Sequence, residues 1–448
     1  MKIVRRCVWL SAPLALAATL LGAAREPGPA ASGAPPPEPP IPAVPIIRIV
    51  GAAKPKIPIA LPAFTAPADT KVQEFARTIH DVINDDLDFS GYFSLVPEEY
   101  HKLVHGDPGG KINYKEWIGV GADALVFGQV TFAQPNIVFE GKLFDTADEK
   151  ILLGKLYRGE PDLARVMAHK LSNEIAQQFT DQGGIFLSKI AFVSQVGKAK
   201  EIYVMDYDGA RAKRITANNT INLSPAWSPD GKQIAFVSYR SGSPVLMIVN
   251  SDGVLRQSFP QQGELNSAPA WSPDGNLIAF TSTRDGNAEI YVQRLSETTP
   301  RRLTNSDAID TSPAWSPDGR QIAFTSDRAG SPQIYTMNAD GSNLRRLTSN
   351  VSYCDAASWS LDGKKIAFTA RVAGGFDIFL LDIDSQQVAR LTENSNINEW
   401  PRFSPDGKHL AFASNRTGNF DVYTMDIDGS HVRRLTHGGN SYSPSWSR

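Results

Sequence analysis

A seven-residue pattern returns along this chain at one fixed interval, and that interval constrains the fold more than any other feature. Pro225-Ala-Trp-Ser-Pro-Asp-Gly231 recurs from Pro269 to Gly275 and from Pro313 to Gly319, then in modified form from Ala357 to Gly363 and Pro401 to Gly407. Successive copies begin 44 residues apart. Each is followed by an Ile-Ala-Phe-like strand (Ile234, Ile278, Ile322, Ile366, Leu410) and then by an Ile-Tyr-like strand (Ile290, Ile334, Ile378, Val422). An Arg-Leu-Thr-like strand ends the unit at Thr304, Thr348, Thr392 and Thr436. Four short strands in about 44 residues are the signature of a propeller blade. Ser-Pro-Asp-Gly supplies the hairpin: Pro presets φ, Asp bonds local backbone, and Gly accepts a left-handed geometry. The Asp-Gly pairs at Gly209, Gly341 and Gly429 read as further hairpin turns, with calcium binding the weaker alternative because other EF-hand ligands are missing.

Counting blades predicts closure. A sixth Ile-Ala-Phe begins at Ile190, yet no Pro-Ala-Trp precedes it; the missing innermost strand appears instead as Ser443-Pro-Ser-Trp446. We therefore expect a six-bladed propeller over residues 185–448 whose first blade is completed by the C-terminal strand. Such sharing removes open sheet edges. The Ser-Pro-Asp-Gly turns occupy one face. The loops leading into each innermost strand gather on the other, around the mouth: Asn219 to Asn222, Glu264 to Ala268, Asp307 to Thr311, Tyr353 to Asp355, Asn396 to Glu399 and Asn440 to Tyr442. These loops vary where the turns repeat, and variable loops on a rigid scaffold are where binding resides. Arg240, Arg284, Arg328, Arg371 and Arg416 recur in the loops between second and third strands, and for them structural pairing is the leading reading.

Upstream, Lys2, Arg5 and Arg6 precede an apolar run from Val8 to Leu21 and the small residues Gly22 to Ala24, the pattern of a cleaved secretory signal over residues 1–24. The run is too short to span a bilayer, so the chain is expected not to be membrane-embedded. Thirteen prolines between Glu26 and Pro67 mark residues 25–45 as a semi-rigid tether. A small α/β domain is expected over residues 46–184. It holds a helix over 70–88 capped by Asp69, another after Pro161, and strands near Ile57, Ala124, Ile137 and Ile151. His80, His101, His105 and His169 have no ligand spacing, so a structural or solvated role is expected for them. With 45 basic against 47 acidic residues the net charge is −2, which argues against a nucleic-acid partner. The two cysteines, Cys7 and Cys354, cannot build a disulfide framework or a multi-cysteine zinc site.

Signal, α/β domain and six blades together resemble the TolB family. Trp117 to Val130 and Ser90-Gly-Tyr-Phe93 are similar to its N-terminal domain. The resemblance implies a monomeric periplasmic adaptor of the Tol–Pal system, without enzymatic activity or cofactor, that supports outer-membrane integrity and constriction at division. It implies that the mouth binds the peptidoglycan-associated lipoprotein Pal, with Leu265, Asn266, Ala268, Asp310 and Thr311 at the matching positions. Asn222, Asp355, Asn398 and Glu399 join them as candidates from the mouth loops. It also implies that Ile46-Ile47-Arg48-Ile49-Val50 binds TolA; this segment follows some twenty proline-rich residues instead of starting the mature chain. Leu361 for Pro and Phe403 for Trp are further departures, conservative for packing. The competing expectation is a propeller-type hydrolase or lyase using Asp310, Asp355 and Glu399 in the channel. No Gly-x-Ser-x-Gly elbow accompanies it.

Overall fold

The computed structural model describes residues 55–105, 111–180, 183–259, 263, 265–393 and 395–448. The expected signal, proline-rich tether and segment Ile46 to Val50 lie outside the described residues. Two compact units divide the chain at Ser188 and Lys189. Among the described residues no helix is long and apolar enough to cross a membrane.

The first unit has a five-stranded sheet. Ile57–Ala60 lies parallel between Phe93–Leu95 and Ala124–Ala133, and Asn136–Asp145 and Lys150–Gly159 continue antiparallel. The helix Thr70–Phe89 begins where expected because the Asp69 carboxylate accepts hydrogen bonds from the Lys71 and Val72 backbone N–H groups. Val72, Ile79, Val82, Ile83 and Leu87 bury its stripe against Val126, Phe139 and the helix Ala164–Phe179. The short helices Glu98–His101 and Tyr114–Gly119 were not anticipated, and their lengths of four and six residues explain why. Neither is long enough to display an amphipathic period. Of the four histidines, His169 is buried and bonds the Asp86 carboxylate at 3.0 Å, and His80 contacts the Leu61 carbonyl oxygen at 3.0 Å.

The second unit is a six-bladed propeller of four-stranded antiparallel sheets. Its first blade joins Ser441–Trp446 to Lys189–Val196, as the repeat count requires. The innermost strands of blades 2 to 6 are Asn222–Trp227, Asn266–Trp271, Asp310–Trp315, Ser352–Trp359 and Asn398–Phe403. Each packs against the innermost strands on both sides, which closes the ring.

The repeat residues earn their places by contact. In the first hairpin Ser228 Oγ donates to Asp230 at 2.6 Å and accepts from Gln233 N at 2.9 Å, while Gly231 takes φ 66°. The same serine–aspartate bond recurs at Ser272, Ser316, Ser360 and Ser404. In five blades the phenylalanine of the second strand stands opposite the tyrosine or phenylalanine of the third, while in blade 2 Phe236 faces Met247. Phe192–Tyr203, Phe280–Tyr291, Phe324–Tyr335, Phe368–Phe379 and Phe412–Tyr423 stack with centroids 5.7–6.1 Å apart. Arg284, Arg328 and Arg416 lie over these pairs, and Arg328 also grips Asp310, which supports the structural reading of those three arginines. Arg240, by contrast, is exposed.

The Arg-Leu-Thr motif works differently from its expected role as a strand. The fourth strand is the arginine pair before it, as in Arg301–Arg302, and the threonine lies just beyond. There Thr304 Oγ1 accepts from Ile290 N at 2.9 Å and donates to the Glu289 carboxylate, which also accepts from Arg302 at 2.8 Å. Equivalent knots join Glu201 to Arg214 and Thr216, Asp377 to Arg390 and Thr392, and Asp421 to Arg434 and Thr436. Gln333 and Thr348 form a neutral version. Blade 2 has Val245 at this position and no threonine.

Candidate binding mouth of the propeller

Six innermost strands bring three consecutive residues each to the mouth, the first three of the strand in five blades and Cys354 to Ala356 in blade 5. In chain order the first position reads Asn222, Asn266, Asp310, Cys354, Asn398 and Ser441, all buried. The second reads Leu223, Ser267, Thr311, Asp355, Glu399 and Tyr442. The third reads Ser224, Ala268, Ser312, Ala356, Trp400 and Ser443, and every one has φ between 49° and 57°. This left-handed residue shifts the register against the second strand, so each innermost strand bulges at the same height. Bulges re-aim side chains. Behind them a central cavity of about 300 Å³ runs from Ala268, Thr311, Asp355 and Arg402 to Pro317 and Leu361 of the Ser-Pro-Asp-Gly turns.

This geometry divides the expected site residues. Asn222 and Asn398 turn inward and clamp neighbouring blades: Asn222 Nδ2 donates to Glu201 at 3.0 Å, and Asn398 Nδ2 donates to Asp377 at 2.7 Å. Asn266 donates to the Pro244 carbonyl oxygen at 3.3 Å, and Asp310 takes both its Arg328 bonds inside the wall. These four shape the loops from behind. Ala268, Thr311 and Asp355 line the cavity, and Leu265 and Glu399 are half-buried beside them. Cys354 is fully buried, and burial pushes its thiol up to about 12, so it is chemically quiet.

Asp355 and Glu399 occupy the second position of adjacent blades. Thr325 Oγ1 donates to Asp355 at 2.8 Å, and burial raises the Asp355 pKa above the usual carboxylate range. Burial first, and the Asp355 charge second, push Glu399 up to about 8. No hydrogen bond or ion pair offsets that cost among the described residues. An unfolded Glu ionises near 4.5 and this one near 8, so each pH unit across that window penalises the folded state. Glu399→Gln is therefore expected to raise the melting temperature, by a margin that grows from pH 5 to pH 8. Thermal scans at several pH values check this, and a pH-independent difference would contradict it.

Sequence reading passed over Lys200, Trp400 and Arg402, and placed Tyr442 only as the end of a mouth loop. Arg402 was discoverable: it stands where the other blades carry Ala226, Ala270, Ala314, Ser358 and Ser445. Its guanidinium donates to the Pro401 carbonyl oxygen at 2.9 Å from within the cavity wall. Lys200 gives no such signal, because it reaches the mouth from the third strand of the first blade.

Comparison with known proteins follows this geometry closely. A family model described as the TolB beta propeller domain matches residues 176–378 and 350–448, and the TolB amino-terminal domain matches residues 45–152. The chain belongs to the TolB family. A crystal structure of TolB from Acinetobacter baumannii superposes with TM-score 0.74 at 30% identity, covering 89% of this chain and 98% of that one. Curated relatives include the Tol-Pal system protein TolB of Desulfosudis oleivorans, 40% identical over 42% of this chain and 43% of its own. That of Geobacter sulfurreducens is 39% identical over 36% of this chain and 37% of its own. The matched stretch thus spans about two fifths of each curated relative.

Proposed function

We propose that this TolB-family chain is a periplasmic, non-enzymatic adaptor of the Tol–Pal system. Its propeller mouth binds the outer-membrane lipoprotein Pal, and residues Ile46 to Val50 bind TolA by adding a strand to a partner sheet. Leu265, Ala268, Thr311, Asp355 and Glu399 supply the contact surface, with Asn222, Asn266, Asp310 and Asn398 holding it. One observation carries this reading: the second position of the innermost strands holds a different residue in every blade (Leu, Ser, Thr, Asp, Glu, Tyr), while the hairpin face repeats nearly unchanged. Backbone pairing by a short apolar strand explains how Ile46 to Val50 gains affinity with so few residues. Through these two contacts the chain links the envelope layers, supports outer-membrane integrity and serves constriction at division.

The experiment is a binding titration against the soluble domains of the organism's own Pal-like lipoprotein and TolA. Leu265→Arg is expected to weaken lipoprotein binding at least tenfold with the melting temperature unchanged. Deleting residues 46–50 is expected to abolish TolA capture alone. Unchanged affinities in both variants would refute the assignment. The second reading, a hydrolase or lyase, is favoured by one feature, the Asp355–Glu399 pair with one member held largely protonated at neutral pH. Saturable turnover of a small substrate, lost in Glu399→Gln, would establish it in place of the adaptor.

A further inference from the structure

The mouth is unlike itself around its circumference, and the arc from blade 5 through blade 6 to blade 1 holds ionisable groups that no described residue pairs. Glu399 sits at the channel-facing second position beside Asp355, and no donor among the described residues reaches its carboxylate. On the other side of blade 6, the Lys200 ammonium rests 5.3 Å from the Tyr442 ring centroid and has no carboxylate partner among the described residues. Between these charges lie the Trp400 and Tyr442 rings, 5.5 Å apart, and Phe420 backs Trp400 at 6.0 Å. The Tyr442 hydroxyl is buried and also unpartnered among the described residues. Buried charges and hydroxyls without partners are costly, and folded proteins keep few of them. The buried Tyr442 hydroxyl, with the half-buried Glu399 and Lys200 on the face read as a binding surface, calls for a complementary occupant.

We propose that this arc is a two-charge seat for the protein partner, taking a basic side chain over Glu399 and Asp355 and an acidic one at Lys200, with Trp400 and Tyr442 as the floor between. The inference rests on the binding role of the mouth and adds the partner's chemistry to it. A partner segment with both charges matches the seat; an all-acidic segment would meet Glu399, and an all-basic one would meet Lys200. Guanidinium or ammonium over the carboxyl pair gains charge-assisted hydrogen bonds that water cannot supply in the enclosed mouth.

Proton linkage follows. The groups facing Glu399 are Asp355 and Tyr353 from blade 5, with Arg371 acting on Tyr353 and Arg402 acting on Asp355. On blade 1 Lys200 lies against Tyr442, and burial alone lowers its pKa. Free Glu399 binds its proton up to pH about 8, whereas a seated cation favours the carboxylate. Binding therefore releases a proton below pH 8, and affinity climbs by up to about tenfold per pH unit before levelling.

The test titrates the soluble domain of the organism's Pal-like lipoprotein into the full mature chain between pH 6 and pH 9. Glu399→Gln is expected to flatten the pH profile, and Lys200→Gln to weaken binding about tenfold while leaving that profile intact. Both variants are expected to melt cooperatively, which separates loss of binding from loss of fold. If the native chain binds and both variants match it at every pH, the seat is wrong while the adaptor reading stands. If the native chain binds no such lipoprotein, the adaptor reading falls and the seat with it.

Discussion

Removing Ser441 to Arg448 is expected to destroy the propeller as a cooperative unit. The deleted strand is the innermost member of blade 1, pairing Tyr442 with Val193 and Trp446 with Ile190. Ser447 adds two bonds across the junction, accepting from Lys189 N and donating to the Lys189 carbonyl oxygen, both at 2.8 Å. Without them the first blade keeps three strands, and an edge opens between Lys189–Val196 and the channel. Tyr442 and Trp446 together bury apolar surface worth roughly 3–6 kcal/mol. Lost pairing and lost contact with both neighbouring blades bring the total into the range of a domain's whole stability, about 5–15 kcal/mol. Circular dichroism and calorimetry provide the check: the truncated chain should lose the sharp propeller transition and bind hydrophobic dyes. A truncated protein melting cooperatively at the original temperature would contradict closure by this strand.

The second large effect is expected from a single side chain outside the mouth. Asp377 accepts hydrogen bonds from Arg390, from Thr392 Oγ1 at 2.8 Å and from Asn398 Nδ2 at 2.7 Å, so one carboxylate holds two strands of blade 5 and the first residue of blade 6. Asp377→Ala leaves an arginine and two further donors without their partner. Breaking such a buried pair costs about 3–5 kcal/mol, which for a unit of this size lowers the melting temperature by roughly 10 °C. Val245→Ala in blade 2, where the knot is absent, should cost only about 1–2 kcal/mol of packing. Urea titrations of the two variants compare them directly, and equal losses would deny the knot its role.

Much of this architecture was legible because a repeat writes the same physics six times. The 44-residue interval, the Ser-Pro-Asp-Gly hairpin and the absent first strand were enough to draw the closed ring. The α/β unit was legible where helices were long, as in Thr70–Phe89, and opaque where they held four to six residues. For the mouth, sequence located the loops but not the direction of their side chains. Asn222, Asn266, Asp310 and Asn398 sit at the mouth in the linear order, yet the left-handed bulge two residues on leaves them pointing into the joints between blades. A φ sign carried by Ser, Ala and Trp alike has no composition signature. Lys200 and Tyr442 meet only because the chain's end folds back onto its first blade.

Blade 2 has one more consequence. With valine where its neighbours tie an acid to arginine and threonine, the seam between blades 2 and 3 lacks the buried carboxylate knot; bonds from Asn266 to the Pro244, from Trp271 to the Ala226 and from Gln257 to the Leu295 carbonyl oxygen cross it beside apolar packing. A wheel with unequal joints loosens at the weakest, so amide exchange should be fastest along this seam. Leu265 to Ala268 border it, which puts part of the partner-facing rim on the joint most able to yield when something docks.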